Sequence, residues 1–265
     1  MKDHLLELVR GLDPLAGRNI LREYLQARIL EGLQRAGAMS ALAFQGGTAL
    51  RFLYRLPRYS EDLDFAVEGA RESYDLRAWM TGVAGQFRRE GHEVAASLRD
   101  RGNVHSGWLR FRGLLSEVGL SPHGDEVLGI KVDVDTRPPA GAVTETRLVR
   151  RHVSVRIHHH DRASLLAGKL HAVLRRPWAK GRDIYDLGWY LSDHQWPPPN
   201  LALLNAALRQ GDPSAVRLTG ETWRGRVAER VGGLDWEAVN ADVRPFLEHG
   251  VEMVGRGELL GLLAG

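Results

Sequence analysis

At 265 residues, with 43% hydrophobic and 26% charged side chains, the chain can bury a real core as one large domain or two modest ones. It has no cysteine, which excludes disulfides and zinc–thiolate sites and predicts a cytoplasmic protein. A formal charge of +3 at pH 7 is too small to name a partner, so the distribution of charge matters more than its total.

The N-terminal MKDHLLELVRGLD carries acids within its apolar pattern and lacks the h-region of a signal peptide, and no apolar run is long enough to cross a membrane. Residues 3 to 13 predict a short helix interrupted by Pro14. Arg18 to Ala36 predicts a stronger one, with Ile20, Leu21, Tyr24, Leu25, Ile29, Leu30 and Leu33 at helical spacing and Gly37 as its C-cap.

The stretch from Phe44 to Val67, FQGGTALRFLYRLPRYSEDLDFAV, reads as strand, glycine turn, helix, loop and strand. Gly46 and Gly47 permit a tight turn or a close backbone approach, and Thr48 can cap the helix that follows. A glycine turn opening a helix aims free N–H groups and a positive dipole end at one point, which suits a phosphate. Asp62 and Asp64 stand two apart on a strand, so both carboxylates share a face while Leu63 and Phe65 point to the core. Like charges this close disfavour joint ionisation unless a cation lies between them, and hard Mg²⁺ takes such oxygen ligands. An acidic edge strand after a surface turn would explain Asp-Leu-Asp taken alone; the paired glycines upstream favour the metal and phosphate.

Further on, Tyr74 to Glu90 predicts a helix. Glu93 to Leu98 and His105 to Leu114 predict strands joined by a hairpin at Asp100-Arg-Gly-Asn. Val127 to Asp135 predicts a strand with Leu128, Ile130, Val132 and Val134 on one face and Lys131, Asp133 and Asp135 on the other. Val149 to Ile157 predicts one more. His158-His159-His160 reads as a polar junction, since three consecutive His on an extended chain cannot all face one metal. From Asp161, a helix cap, the pattern turns helical: 161–176, 181–193, Leu201 to Arg209, Ser214 to Val231 and Trp236 to Val254. The expected division is 1–157 and 158–265.

GGTALR followed ten residues later by Asp-Leu-Asp resembles the first motif of the DNA polymerase β-like nucleotidyltransferase superfamily, and more narrowly the AbiEii/MenT nucleotidyltransferase toxins. Arg51 fills the motif's arginine position, and IKVDVDT resembles the third-carboxylate strand, with Asp133 as third ligand and Asp135 in reserve. Leu166-Ala-Gly-Lys169 and Gly181-Arg182-Asp183-Ile-Tyr185-Asp186-Leu187 resemble the later motifs. The resemblance runs from about Phe44 to Leu191. It implies an α/β fold: a small mixed β-sheet nucleotidyltransferase core with flanking helices, followed by a helical C-terminal domain.

It also implies transfer of a nucleoside monophosphate from an NTP to an acceptor, for some members the tRNA 3′ end, with a cognate antitoxin and a role in phage defence or growth arrest. Two Mg²⁺ ions would be held by Asp62, Asp64 and Asp133. Gly46, Gly47, Thr48, Arg51 and Lys169 would hold the triphosphate. Lys131 would either help that site or offset nearby negative charge. Asp183 and Asp186, three apart on one helix face, could orient Lys169 or Arg182, act as a base, or form a salt-bridged pair. Arg147 to Arg182 contains ten cations, Arg175 and Arg176 among them, and one acid, Asp161, which suggests a polyanion track or solvated faces. Two other readings stand beside the RNA-directed one: a nucleotidyltransferase acting on a small molecule or a protein hydroxyl, and a nucleotide-binding module without catalysis.

Overall fold

The computed structural model describes residues 2–265. Two compact units divide the chain: Met1–Tyr54 with Tyr59–Arg137 and Thr146–His159, and Arg55–Arg58 with Pro138–Glu145 and His160–Gly265.

In chain order the first part holds α1 (Lys2–Val9), α2 (Pro14–Arg35), β1 (Leu42–Gln45), α3 (Gly46–Tyr54), β2 (Asp62–Val67), α4 (Leu76–Arg89), β3 (Val94–Arg99), β4 (Val104–Arg112), the short α5 (Leu114–Glu117) and β5 (Val127–Asp135). β6 (Thr144–Arg151) and β7 (Val153–His160) follow. The chain then becomes helical: α6 (Arg162–Arg175), α7 (Gly181–Leu191), α8 (Leu201–Gly211), α9 (Trp223–Gly232), α10 (Trp236–Val243) and α11 (Arg256–Ala264).

The strands form one sheet in the order β3-β4-β5-β2-β1-β7-β6. It is mixed: β2 runs parallel to β5 and β1 to β7, while β1/β2, β3/β4 and β4/β5 are antiparallel. This is the α/β architecture expected from the sequence, a mixed sheet with flanking helices and then a helical segment. The alternation in β5 explains its place at the centre. Ile130, Val132 and Val134 are fully buried, while Lys131, Asp133 and Asp135 are only half-buried on the other face. In the second unit Leu166, Leu170, Leu187, Leu204 and Val227 are among the side chains of a separate apolar core.

Several local expectations need correction. Pro14 starts a helix instead of interrupting one, because Asp13 caps it by accepting from the backbone N–H groups of Leu15 and Ala16. The single strand expected over 149–157 is two, β6 and β7, divided at His152, whose φ of 58° reverses the chain without any glycine to signal it. His159 and His160 are buried in β7, so the triple histidine is strand and not a polar junction. The helices expected at 214–231 and 236–254 are confined to α9 and α10, and α11 went unforeseen.

Candidate active site

β2 and β5 build the acidic face of the first unit. Their parallel register sets Asp62 beside Lys131 and Asp64 beside Asp133, and the two-residue period turns all four side chains to one side. Backbone ties fix β2 at its entrance. The buried Gln26 amide donates to the carbonyls of Ser60, at 3.0 Å, and Glu61, at 2.9 Å, and the Thr48 hydroxyl donates to the Asp62 carbonyl.

Gly46 explains the glycine turn. Its φ is +78°, and a Cβ built there would lie 2.4 Å from Oδ2 of Asp64. The absent side chain thus lets the Asp64 carboxylate sit against the first residue of α3, where the helix dipole favours negative charge. Asp133 accepts from the Ser106 hydroxyl and from Nζ of Lys131, both at 2.6 Å. Ser106, on β4 opposite Asp133, was not foreseen, although the alternation of that strand puts it on the acidic face. Asp135, one step further along that face, has its pKa pushed up by burial and by the charge of Glu68, against a bond from the Arg137 N–H.

This donor set fits a hard divalent cation: it offers carboxylate oxygens, with Asp64 and Asp133 side by side in register. Asp62, Asp64 and Asp133 are the residues that would hold it. As they stand, no three His, Cys, Asp or Glu among the described residues are grouped closely enough to enclose an ion, and Lys131 supplies the neighbouring positive charge on Asp133.

Two residues expected at the phosphate are committed elsewhere. Thr48 is fully buried, with its hydroxyl spent on β2. Arg51 is 2% exposed; its Nε donates to Glu23, and its guanidinium lies 4.1 Å from the Tyr59 ring centroid. Arg151 grips the same glutamate with two bonds, at 2.8 and 3.0 Å, and His152 reaches it at 2.8 Å. Burial pushes the Glu23 pKa up, but the His152 and Arg151 hydrogen bonds and the Arg51 charge outweigh it and bring it down to about 2. The motif arginine therefore anchors α3 to α2 through a buried ion cluster.

The second unit carries a different constellation. Lys169 on α6 lies 3.0 Å from Asp183 and 2.6 Å from Asp186, both on α7. Arg58 binds Asp186 through two bonds, at 2.6 and 2.5 Å, and Arg176 reaches Asp183 at 3.0 Å. Burial works against the Lys169 charge, yet Asp186 and Asp183 prevail and hold its pKa above the ordinary range. Burial likewise opposes ionisation of Asp183, and Lys169 and Arg176 overcome it, so its pKa is lowered. Arg58 had no sequence signal, being 128 residues from its partner. Arg182 stacks over Phe246, 4.3 Å from the ring centroid.

The basic run is largely engaged within the chain. Arg147 donates to the Leu53 carbonyl, Arg151 to Glu23, Arg175 to the Gly211 carbonyl and Arg176 pairs with Asp183. Arg176 thus pairs with the buried Asp183 while its own side chain stays partly exposed.

A family model described as nucleotidyl transferase AbiEii toxin, type IV toxin–antitoxin system, matches residues 28–254. The chain belongs to this family. As a nucleotidyltransferase of the AbiEii toxin family it belongs to an enzyme class that uses an NTP and a divalent metal, and a toxin–antitoxin system implies an antitoxin partner. No curated protein matches the chain. Two crystal structures share its fold. One, from H. pylori and provisionally described as a nucleotidyltransferase, has a TM-score of 0.55 at 16% identity and covers 92% of each chain. The other, JHP933 from Helicobacter pylori, has a TM-score of 0.54 at 16% identity and covers 93% of this chain and 90% of its own. No described helix of this AbiEii-family chain is long and apolar enough to cross a membrane.

Proposed function

We propose that this chain is a Mg²⁺-dependent toxin that transfers a nucleoside monophosphate from an NTP to an RNA acceptor, the 3′ end of tRNA. The observation that carries the reading is the placement of Asp62, Asp64 and Asp133 on one sheet face beside the N-terminal glycine of α3. The acceptor hydroxyl oxygen forms a bond to the α-phosphorus, the bond from that phosphorus to the bridging oxygen breaks, pyrophosphate leaves, and the hydroxyl proton passes to solvent. Bound Mg²⁺ supplies charge neutralisation and orientation for the triphosphate and the attacking oxygen. The chain's own residues contribute the rest by positioning: Gly46 lets the Asp64 carboxylate lie against the start of α3, and Ser106 and Lys131 hold Asp133 in place.

Lys169, Arg182, Asp183 and Asp186 keep their family-motif roles in this proposal. The motifs give Lys169 and Arg182 phosphate-directed roles; within the second unit Lys169 is held by the two aspartates. The cognate antitoxin would restrain this activity, and growth arrest or phage defence would follow from blocked translation.

The test is direct. Incubate the full chain with each labelled NTP, Mg²⁺ and total RNA, then with RNA replaced by protein or by candidate small molecules. Label in the tRNA fraction, abolished by chelation with EDTA, is expected. Label only in a small molecule or in protein would overturn the RNA assignment while leaving nucleotidyl transfer intact.

A further inference from the structure

One face of the first unit's sheet bears Trp108 and Arg110, which the chemistry above leaves unused. On β4, residues 105, 107, 109 and 111 point to the side where α4 packs, with the Met80 side chain against Gly107. Residues 104, 106, 108 and 110 point the other way, to the side that carries the carboxylates, as the Ser106–Asp133 bond confirms. On this second side Ala95, Ser97, Arg99 and Arg110 are exposed and Trp108 is half-buried. Register puts Asp62, Lys131 and Trp108 in one row across β2, β5 and β4.

Trp108 is held in a specific pose. Gly129 faces the same side, and a Cβ there would meet the indole six-membered ring at 3.4 Å, so the ring extends over the glycine position. The Arg110 guanidinium lies 5.2 Å and the Lys131 ammonium 5.8 Å from the ring centroid. Arg110 is in turn steadied by a bond to the Ser97 hydroxyl on β3. With both cations over the ring and Arg110 itself exposed, a base that displaces the Arg110 guanidinium can stack on the indole while the guanidinium takes the adjoining phosphate of a single strand.

Sheet order gives this patch a direction. The glycine turn lies on the β1 side of the carboxylates, and Trp108 lies beyond β5 on the opposite side. In an in-line displacement the entering and leaving oxygens lie on opposite sides of phosphorus. With pyrophosphate leaving towards the glycine turn, the entering hydroxyl approaches from the β4 side. We propose that Trp108, Arg110 and Lys131 form the acceptor subsite, with the terminal base of a single-stranded RNA 3′ end stacked on Trp108 and its phosphate drawn to Arg110. This rests on the RNA-directed reading above and names the residues that recognise its acceptor.

The test is filter binding of a short, labelled single-stranded RNA with a free 3′ hydroxyl to the full chain. Every protein carries Asp64→Asn so that nothing turns over, and a parallel labelling assay uses the native Asp64. Trp108→Ala is expected to weaken RNA binding by about tenfold or more, and Trp108→Phe to restore most of it. Arg110→Glu, at an exposed position that does not threaten folding, is expected to weaken binding and to lower the slope of log affinity against log salt by roughly 0.7 or more. In the labelling assay both changes raise KM for RNA and leave KM for the NTP alone. If the wild type labels RNA while Trp108→Ala and Arg110→Glu bind and label it unchanged, the subsite is wrong and the transfer reading stands. If the wild type neither binds nor labels RNA, the transfer reading falls first and the subsite with it.

Discussion

The acidic face of the sheet and the ion cluster on α6 and α7 use the same chemistry to opposite ends. On the sheet, Asp62, Asp64 and Asp133 share a half-exposed face, and the Lys131 ammonium pairs with Asp133. On the helices, Asp183 and Asp186 are 6% and 1% exposed and are met by Lys169, Arg58 and Arg176. The first set concentrates negative charge where solvent and ligands can reach it. The second is closed by the chain's own cations, and removing one member strands another charge in the interior. A carboxylate's worth to the fold is therefore set by how far its charge is matched internally, and its availability for chemistry runs the other way.

The contrast can be broken most sharply at Asp64. Asp64→Asn is nearly isosteric and is expected to abolish transfer by several orders of magnitude while leaving the melting temperature close to wild type. A variant that still labels acceptor at a near-native rate would show that the acidic face is not the catalytic one. The mirror experiment is Asp186→Asn, which leaves Lys169 and Arg58 buried against a neutral amide. It should cost about 3–5 kcal/mol in denaturant unfolding, with no ligand present. Equal stability of this variant and the wild type would mean that the cluster is not closed as described.

A smaller effect sharpens the comparison from within the first unit, where Glu23 is also matched internally by Arg51, Arg151 and His152. Its pKa is lowered from an ordinary 4.5 to about 2, so the folded state holds the charged form more tightly than the unfolded chain does. The stabilisation is present above about pH 4.5 and is lost as pH falls towards 2, in total about 3 kcal/mol. Glu23→Gln should flatten the acid limb of stability between those limits, which unfolding titrations at a series of pH values would reveal. An unchanged acid limb would assign the loss to other groups.

The sequence by itself determined the parts whose physics is local. The two-residue alternation in Val127 to Asp135 fixed which side of β5 is buried, since one slip of register would expose Ile130, Val132 and Val134. Asp62 and Asp64 share a face by the same rule, and Asp161 caps α6 as an Asp before an apolar helical run predicts. Only the tertiary structure decided which charges meet. Arg51 matches a motif position, but its guanidinium turns to Glu23, 28 residues earlier, and Arg58 finds Asp186 across 128 residues. Arg176 looked like one of many surface cations and is tied to Asp183. The turn at His152 escaped notice because a non-glycine residue at positive φ carries no local signature. The buried His159 and His160 escaped it because polar side chains do not advertise burial. Burial and ion pairing are set by distance in space, and a single sequence records distance along the chain.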